Sequence, residues 1–329
     1  MHDLRFRDET TGLCAHIVFD TIRFGRAVGG VRTFAYASEA DAVSDAARLA
    51  GAMSLKTAIA GLRAGGAKTA VLLHDRLDRA QAFRRLGQFI EDLAGLYRCA
   101  GDLGTTADDL LSMAETTRYV QTRDLADGAA RGVVNCMNAC ARLRGHDSVA
   151  GLRVAVQGCG SMGSAVAQRL VASGAEVLVA DVDEKQARAV ARAIGARVID
   201  AEDVLLANVD VVAPCAIGGV ITERIATDMR AWAICGAANN QLAAPEVEQR
   251  LAARGVLFVP DFVASCGAVI AGTAMELNGV EPLPLIDALT DTTREILETA
   301  SAERRTATEI AERVARERLE RGFIDFVRR

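Results

Sequence analysis

Apolar residues along this chain follow two rhythms, and the change between them falls near residue 130. In the first part, strand-like and helix-like stretches mix without a fixed order. "LCAHIVFDTI" (13–22) carries β-branched and aromatic residues and predicts a strand, ahead of a turn-like "GRAVGGVR". Ser38 predicts a helix start with Asp41 imitating a capping box, and Val43, Ala46, Ala50 and Met53 recur on one helical face. Gly65 and Gly66 are expected to stop that helix, after which "KTAVLL" reads as a strand. A helix, "RAQAFRRLGQFIEDLAGLY", and a short segment, "YRCAGDLGTT", follow.

From Gly151 the pattern becomes a regular alternation. "RVAVQG", "EVLVADVD", "ARVID", "VDVVAPCA" and "AWAICGAAN" are short apolar runs separated by helical stretches, the signature of parallel βαβ units. The junction is expected in "TRDLADGAARGVV", with "VVNCMNACARLRG" as a connecting helix. After Pro260 come a glycine-containing helix and one long charged helix from "LPLIDALTD" to "RERLE". The reading is an α/β chain in two parts. An N-terminal α/β domain over 1–130 serves substrate binding and dimerisation. A doubly wound Rossmann domain spans 131–295, and a helical segment, 296–329, returns to the first domain.

Composition narrows the class. A length of 329 residues suits two domains, and half of the residues are hydrophobic, enough for two cores. The net charge of −5 leaves no basic footprint for nucleic acid. No apolar run is long enough to cross a bilayer, and "MHDLRFRDETTG" lacks the apolar core of a signal peptide, so a cytoplasmic location is expected. None of the eight cysteines has CxxC spacing; they read as small apolar side chains, and no metal site is expected.

"VAVQGCGSMGSAVAQRLVASGAEVLVADVD" holds G-x-G-x-x-G as Gly158, Gly160 and Gly163. The motif follows a strand, opens a helix and leads to a second strand ending at Asp181, which is the context a dinucleotide fingerprint needs. Gly158 allows the tight turn, Gly160 lets a pyrophosphate approach the backbone, and Gly163 lets helix and strand pack closely. The helix N-terminus through Ser161 and Met162 offers free N–H groups for phosphates. Asp181 suits ribose hydroxyls, and with Asp183 beside it a 2′-phosphate would meet like charge, so NAD is expected rather than NADP.

The remaining anomaly is "MSLKTAIAGLRAGGAKTAVLL". Lys56 and Lys68 lie in an apolar stretch, and Lys68 sits at the mouth of a strand, where losing water is costly without a partner or a task. One charged lysine could hold a substrate carboxylate. The other, its pKa lowered by burial and a neighbouring cation, could act as a base. Asp102, set between glycines in "CAGDLGTTADD", could approach the same ligand, in a cleft between the domains. Taken singly, Asp102 also reads as a turn or cap residue and Lys56 as a snorkelling helix-end lysine.

With these residues in view, the chain resembles the glutamate/leucine/phenylalanine/valine dehydrogenase superfamily, nearest its leucine and phenylalanine branch. "MSLKTAIAGLRAGGAK" is similar to the two-lysine signature of that family, and "AGDLGTT", "APCAIGG", "GAANNQL" and "VPDFVASCGAVI" follow in the family order. The resemblance implies that Lys56 binds the substrate carboxylate, Lys68 activates the attacking water and Asp102 shuttles protons. Gly29 and Gly30 would border the substrate, with Val28 and Ala100 lining its side-chain pocket. Cys215, Ala216, Ala238, Asn239 and Asn240 would lie near the cofactor. Val28 stands where glutamate-specific relatives have a lysine, so an apolar amino acid is expected as substrate.

The chain departs from the family at Ser265, in the place of a substrate-holding asparagine, at Ala129, in the place of a threonine, and in "RDLADG", in the place of a proline-containing loop. Both ends are shorter than is usual, and a homodimer is the expected assembly. The expected activity is reversible NAD-dependent oxidative deamination. The alternatives are a specialised amine or imine oxidoreductase acting on an unusual amino acid, and a non-catalytic NAD-binding regulatory protein.

Overall fold

The structure is a computed structural model that describes residues 1–321, and these form two compact units: residues 1–124 with the chain from Arg318 onward, and Leu125–Glu317. In the first unit, β1 (His2–Asp8), β2 (Leu13–Phe19), β3 (Ala27–Phe34), β4 (Gly65–Leu72) and β5 (Tyr97–Gly101) form one sheet in the order β1-β2-β4-β3-β5. The β1–β2 and β2–β4 pairs are antiparallel, whereas β3 runs parallel to both β4 and β5. Strand alternation divides this sheet into two faces. Ala27, Val31, Ala67, Val71, Tyr97 and Cys99 point into a core closed by Phe83, Leu86 and Ile90 of α2 (Arg79–Asp92) and Met113 of α3 (Ala107–Ala114). On the opposite face Val18 and Ala70 meet Ala42 and Ala46 of α1 (Glu39–Ile59).

Helix α1 starts where the sequence predicts, with the Ser38 hydroxyl accepting from Asp41 N (3.1 Å). Its buried stripe is Ala42, Ala46 and Ala50, whereas Val43 and Met53 are only half-buried. Small residues win because helix and sheet lie very close: a Cβ on Gly66 would strike the backbone of α1 at Ala50 and Ser54. The helix ends at Ile59, before left-handed Gly61, so Gly65 and Gly66 open β4 rather than stopping α1. Only the first two residues of "GRAVGGVR" belong to a turn, Gly25 at φ +72° and Arg26 closing it, and Ala27 already opens β3; a Cβ on Gly29 would run into the Ala67 carbonyl, so that glycine serves close strand approach. Strand β1 went unpredicted because an edge strand exposed at alternate positions reads as polar.

The second unit opens with α4 (Ala126–Leu143). Six parallel strands follow: β6 (Arg153–Gln157), β7 (Glu176–Ala180), β8 (Arg197–Val198), β9 (Val211–Pro214), β10 (Ala233–Ile234) and β11 (Leu257–Phe258). Their order, β11-β10-β9-β6-β7-β8, is that of a doubly wound dinucleotide-binding sheet, with the order reversing between β6 and β9. Helices α5 (Ser161–Ala172), α6 (Glu184–Ile194), α7 (Glu223–Asp228) and α8 (Glu246–Ala253) lie between the strands in sequence.

The chain continues as α9 (Asp261–Ala264), α10 (Cys266–Asn278), α11 (Pro282–Asp287), α12 (Leu289–Glu303) and α13 (Ala307–Arg321). The single long charged helix is therefore three helices. Pro282 starts α11, and Arg304, at φ +54°, ends α12 with a left-handed cap. Where the chain rejoins the first unit, the Arg318 guanidinium donates to the carbonyls of Ile59 (2.8 Å) and Ala58 (3.5 Å). Residues 322–329 of the expected returning segment lie outside the described residues.

Candidate active site

The α1 face of the first unit's sheet carries the charges. Positions 28, 30 and 32 on β3, 68 and 70 on β4, and 100 and 102 at the end of β5 share one face by alternation, opposite the Phe83 core. Lys68 is thereby driven under α1, where its side chain is only 7% exposed. Its Nζ lies 2.9 Å from Asp102 Oδ2. Asp102 is fixed by its backbone, whose N–H donates to Val31 O (3.0 Å) and whose carbonyl accepts from Thr105 N (3.0 Å).

Gly30 makes room for the pair. A Cβ there would come within 2.9 Å of Lys68 Nζ and 3.0 Å of the Asp102 Cβ. Gly29 neighbours it on β3, and Ala100 is the β5 residue opposite Gly30. Val28 is buried on the same strand. Lys56 lies in the last turn of α1, where a cation complements the helix dipole.

Burial pulls the Lys68 ammonium below the ordinary lysine value; Asp102 opposes that fall, while the cations of Arg32 and Lys56 reinforce it. Burial alone would raise the Asp102 carboxyl, but Lys68 and Arg32 together bring it below the ordinary value. The pair therefore combines a weakened ammonium with a strengthened carboxylate. Lysine is scarce in this protein: among 38 lysines and arginines only Lys56, Lys68 and Lys185 are lysines. An arginine keeps its proton at any physiological pH, so a base at this position requires a lysine.

Sequence reading missed three residues of this site. Arg32 Nε donates to Asp102 Oδ2 (2.7 Å), and its Nη1 donates to Asp45 Oδ2 (3.0 Å), which also accepts from the Tyr36 hydroxyl (2.9 Å). The available signal was register: on a strand, Arg32 follows Gly30 onto the same face.

In the second unit the fingerprint glycines each have a steric reason. Gly158 sits at φ +97°, with a Cβ position 2.7 Å from that of Ala216, and a Cβ on Gly163 would run into the Gly158 carbonyl. Gly160 has open space on its side-chain side, and as N-cap of α5 it offers no side-chain acceptor to the N–H groups of Ser161, Met162 and Gly163. This bare helix start beside open space fits a pyrophosphate.

The Asp181 carboxylate is already oriented, accepting from Cys159 N (2.7 Å, Oδ2) and Asp183 N (2.9 Å, Oδ1). Each oxygen retains a lone pair for a ribose hydroxyl. Cys215 and Ala216 follow β9 beside Gln157, where the strand order reverses. Burial pushes the Cys215 thiol up to about 12, so it acts as an apolar wall.

Ala238, Asn239 and Asn240 follow β10; Ala238 N donates to Pro214 O (2.9 Å), and Asn240 N to Asp261 Oδ2 (2.9 Å). The Ser265 hydroxyl donates to Asp261 O (2.6 Å) within its own helical turn. Ala129 is buried in α4.

One further cluster brings ligand atoms of Cys14, His16 and Glu39 within 4.8 Å of one another. Arg5 and Arg7 both pair with Glu39, and His16 bonds to Asp3 and Glu39. Two guanidiniums beside the carboxylate make this an ion-pair network with little attraction for a divalent cation.

The chain matches the family described as Glu/Leu/Phe/Val dehydrogenase, dimerisation domain, over residues 6–119, and Glutamate/Leucine/Phenylalanine/Valine dehydrogenase over 178–280. Residues 121–225 match D-isomer specific 2-hydroxyacid dehydrogenase, NAD binding domain. It is 34% identical to the leucine dehydrogenase of Bacillus subtilis, across 96% of this chain and 90% of that protein. Identity to the valine dehydrogenase of Streptomyces coelicolor is 38%, across 84% and 79%. The crystal structure of L-tryptophan dehydrogenase from Nostoc punctiforme superposes with a TM-score of 0.85 at 30% identity, covering 98% of this chain and 96% of that one. By its two matched segments and its near full-length likeness to these enzymes, the chain belongs to the glutamate/leucine/phenylalanine/valine dehydrogenase family.

Proposed function

We infer that this protein is an NAD-dependent dehydrogenase that oxidatively deaminates an apolar L-amino acid, branched-chain or aromatic, in a reversible reaction. The amino acid, NAD and water give the 2-oxo acid, ammonium, NADH and a proton. NAD, when bound, supplies the hydride acceptor. The N–H groups of Ser161, Met162 and Gly163 would hold its phosphates and Asp181 its adenosine ribose, and Cys215, Ala216, Ala238, Asn239 and Asn240 would border the rest.

The first unit handles the amino acid. Lys56, charged, binds the α-carboxylate. Asp102 accepts a proton from the substrate ammonium so that the nitrogen lone pair can assist hydride loss from Cα. Lys68, neutral, then removes a proton from the water that attacks the imino carbon, and Asp102 returns a proton to the departing ammonia. Val28 and Ala100 give the side-chain pocket an apolar, small-residue wall, which disfavours a second carboxylate. The observation that carries this reading is the buried Lys68–Asp102 pair under Gly30, where a lysine of lowered basicity lies 2.9 Å from a carboxylate beside a glycine that leaves room for both, the pattern that functional sites favour.

The description of residues 6–119 as a dimerisation domain supports a homodimer, with small molecules as the other partners. No helix among the described residues is long and apolar enough to cross a membrane, and we read the location as cytoplasmic. The test is NADH oxidation with a panel of 2-oxo acids, with and without ammonium. Turnover that requires ammonium and favours branched or aromatic oxo acids is expected. Cofactor binding without turnover on any oxo acid would overturn the reading.

A further inference from the structure

The Arg32–Asp102 contact points to a residue that works on the reaction without touching substrate. Two cations converge on a single carboxylate oxygen: Lys68 Nζ at 2.9 Å and Arg32 Nε at 2.7 Å both meet Asp102 Oδ2. The shortest contact of each cation falls on Oδ2, and Asp102 Oδ1 accepts no hydrogen bond from the described residues. The two oxygens are therefore unequal, one saturated by cations and the other available to a ligand.

Arg32 is itself held from behind. Its Nη1 donates to Asp45 Oδ2, and Asp45 in turn accepts from the Tyr36 hydroxyl on Oδ2 and from Arg48 Nη2 (2.7 Å) on Oδ1. Burial together with Asp45 raises the Tyr36 hydroxyl, so it stays a donor. The guanidinium is 19% exposed and fixed at both ends of its fork. A carboxylate at the end of a strand can turn about its side-chain bonds; a guanidinium that bonds Oδ2 and is itself tied to a carboxylate on α1 restrains that turn.

We propose that Arg32 is a positioning residue that pins Oδ2 of Asp102, so that Oδ1 alone faces the substrate nitrogen as the proton-exchanging atom, with Asp45 holding Arg32 in place. This rests on the deamination reading above. The charged and titratable groups around the Lys68–Asp102 pair are Arg32 from β3, Lys56 from α1, the Tyr97 hydroxyl of β5 from the other sheet face and, one step out, Asp45, Arg48 and Tyr36. Arg32 stabilises the Asp102 carboxylate and repels the Lys68 ammonium. Its loss raises the proton affinity of both. Deamination needs Asp102 ionised and Lys68 neutral, so both changes move the acid limb of its pH profile upward.

The experiment is NAD reduction by the preferred amino acid across pH, using wild type, Arg32→Gln, Arg32→Lys and Asp45→Asn. For Arg32→Gln we expect kcat to fall about tenfold to a hundredfold with KM little changed, the size of effect that loss of orientation produces. The acid limb is expected to rise by about one pH unit. Arg32→Lys should recover part of both changes. Asp45→Asn should shift the limb in the same direction by less, and it supplies the test where Arg32→Gln does not fold.

An acid limb that stays in place in folded Arg32→Gln and Asp45→Asn, whether kcat falls or not, would overturn the proposal. A wild type that deaminates no amino acid would instead overturn the functional reading.

Discussion

The two units supply opposite kinds of machinery. The first works with charge: Lys68, Asp102 and Arg32 are concentrated on one sheet face beneath a helix of small residues, at the expense of burying ionised groups. The second works with bare backbone: its fingerprint is three glycines, an uncapped helix start and one carboxylate already tied to two N–H groups. Side-chain charge can be tuned by its neighbours and can exchange protons. Backbone N–H groups cannot, but they hold a cofactor identically at any pH. On the proposed reading, chemistry therefore belongs to the first unit and cofactor recognition to the second.

Substitutions should separate the two units cleanly. The largest effect is expected from Lys68→Ala, which removes the proposed base: kcat should fall about 10³- to 10⁴-fold, while NAD affinity, measured by fluorescence quenching or calorimetry, changes less than about twofold. Equal losses in both quantities would erase the division of labour.

Next comes Asp181→Ser in the other unit. Loss of a charged acceptor costs about 2 kcal/mol, so NAD affinity should fall more than about tenfold and the discrimination against NADP should narrow. The chemical step at saturating NAD should hold. A kcat that collapses with unchanged NAD affinity would contradict the role of Asp181.

The smallest effect tests scaffold rather than function. Thr106 caps α3 just beyond Asp102, its hydroxyl accepting from Asp109 N (3.2 Å) while Asp109 accepts from Thr106 N (2.7 Å). Thr106→Ala should cost about 1 kcal/mol of stability in denaturant unfolding, with NAD affinity untouched. A change in NAD affinity would show that this cap matters beyond its own unit.

The same contrast explains what the sequence disclosed. Parallel strands buried on both faces appear as unbroken apolar runs, and a glycine fingerprint has a fixed spacing, so β6, β7, β9 and β10 and the Gly158–Gly163 turn were legible. Strand β8, at two residues as short as β10, was also found, within "ARVID", whereas β11 was not singled out as a run. In the first unit, Gly29 and Gly30 resemble turn glycines. Their purpose, close passage of Ala67 and room for the Lys68 ammonium, exists only once β3 and β4 lie side by side. Reading that segment as a turn also hid Arg32, because only a strand places residue 32 on the face of residue 30. Lys68 and Asp102 were visible as anomalies. The clamp from Asp45 was not, since a half-exposed carboxylate on a helix looks like any solvated position.

The central claim is that burial lowers the proton affinity of the Lys68 ammonium despite Asp102 beside it. Only three lysines are present, so isotope-labelled lysine gives three side-chain resonances, assignable with Lys56→Arg and Lys185→Arg. Followed against pH by NMR in the wild-type protein, Lys68 should titrate clearly below the ordinary lysine value of about 10.4. The acid limb of deamination should fall where Lys68 loses its proton, with rate rising as pH rises through it. A Lys68 resonance that titrates at or above the ordinary value would contradict the account.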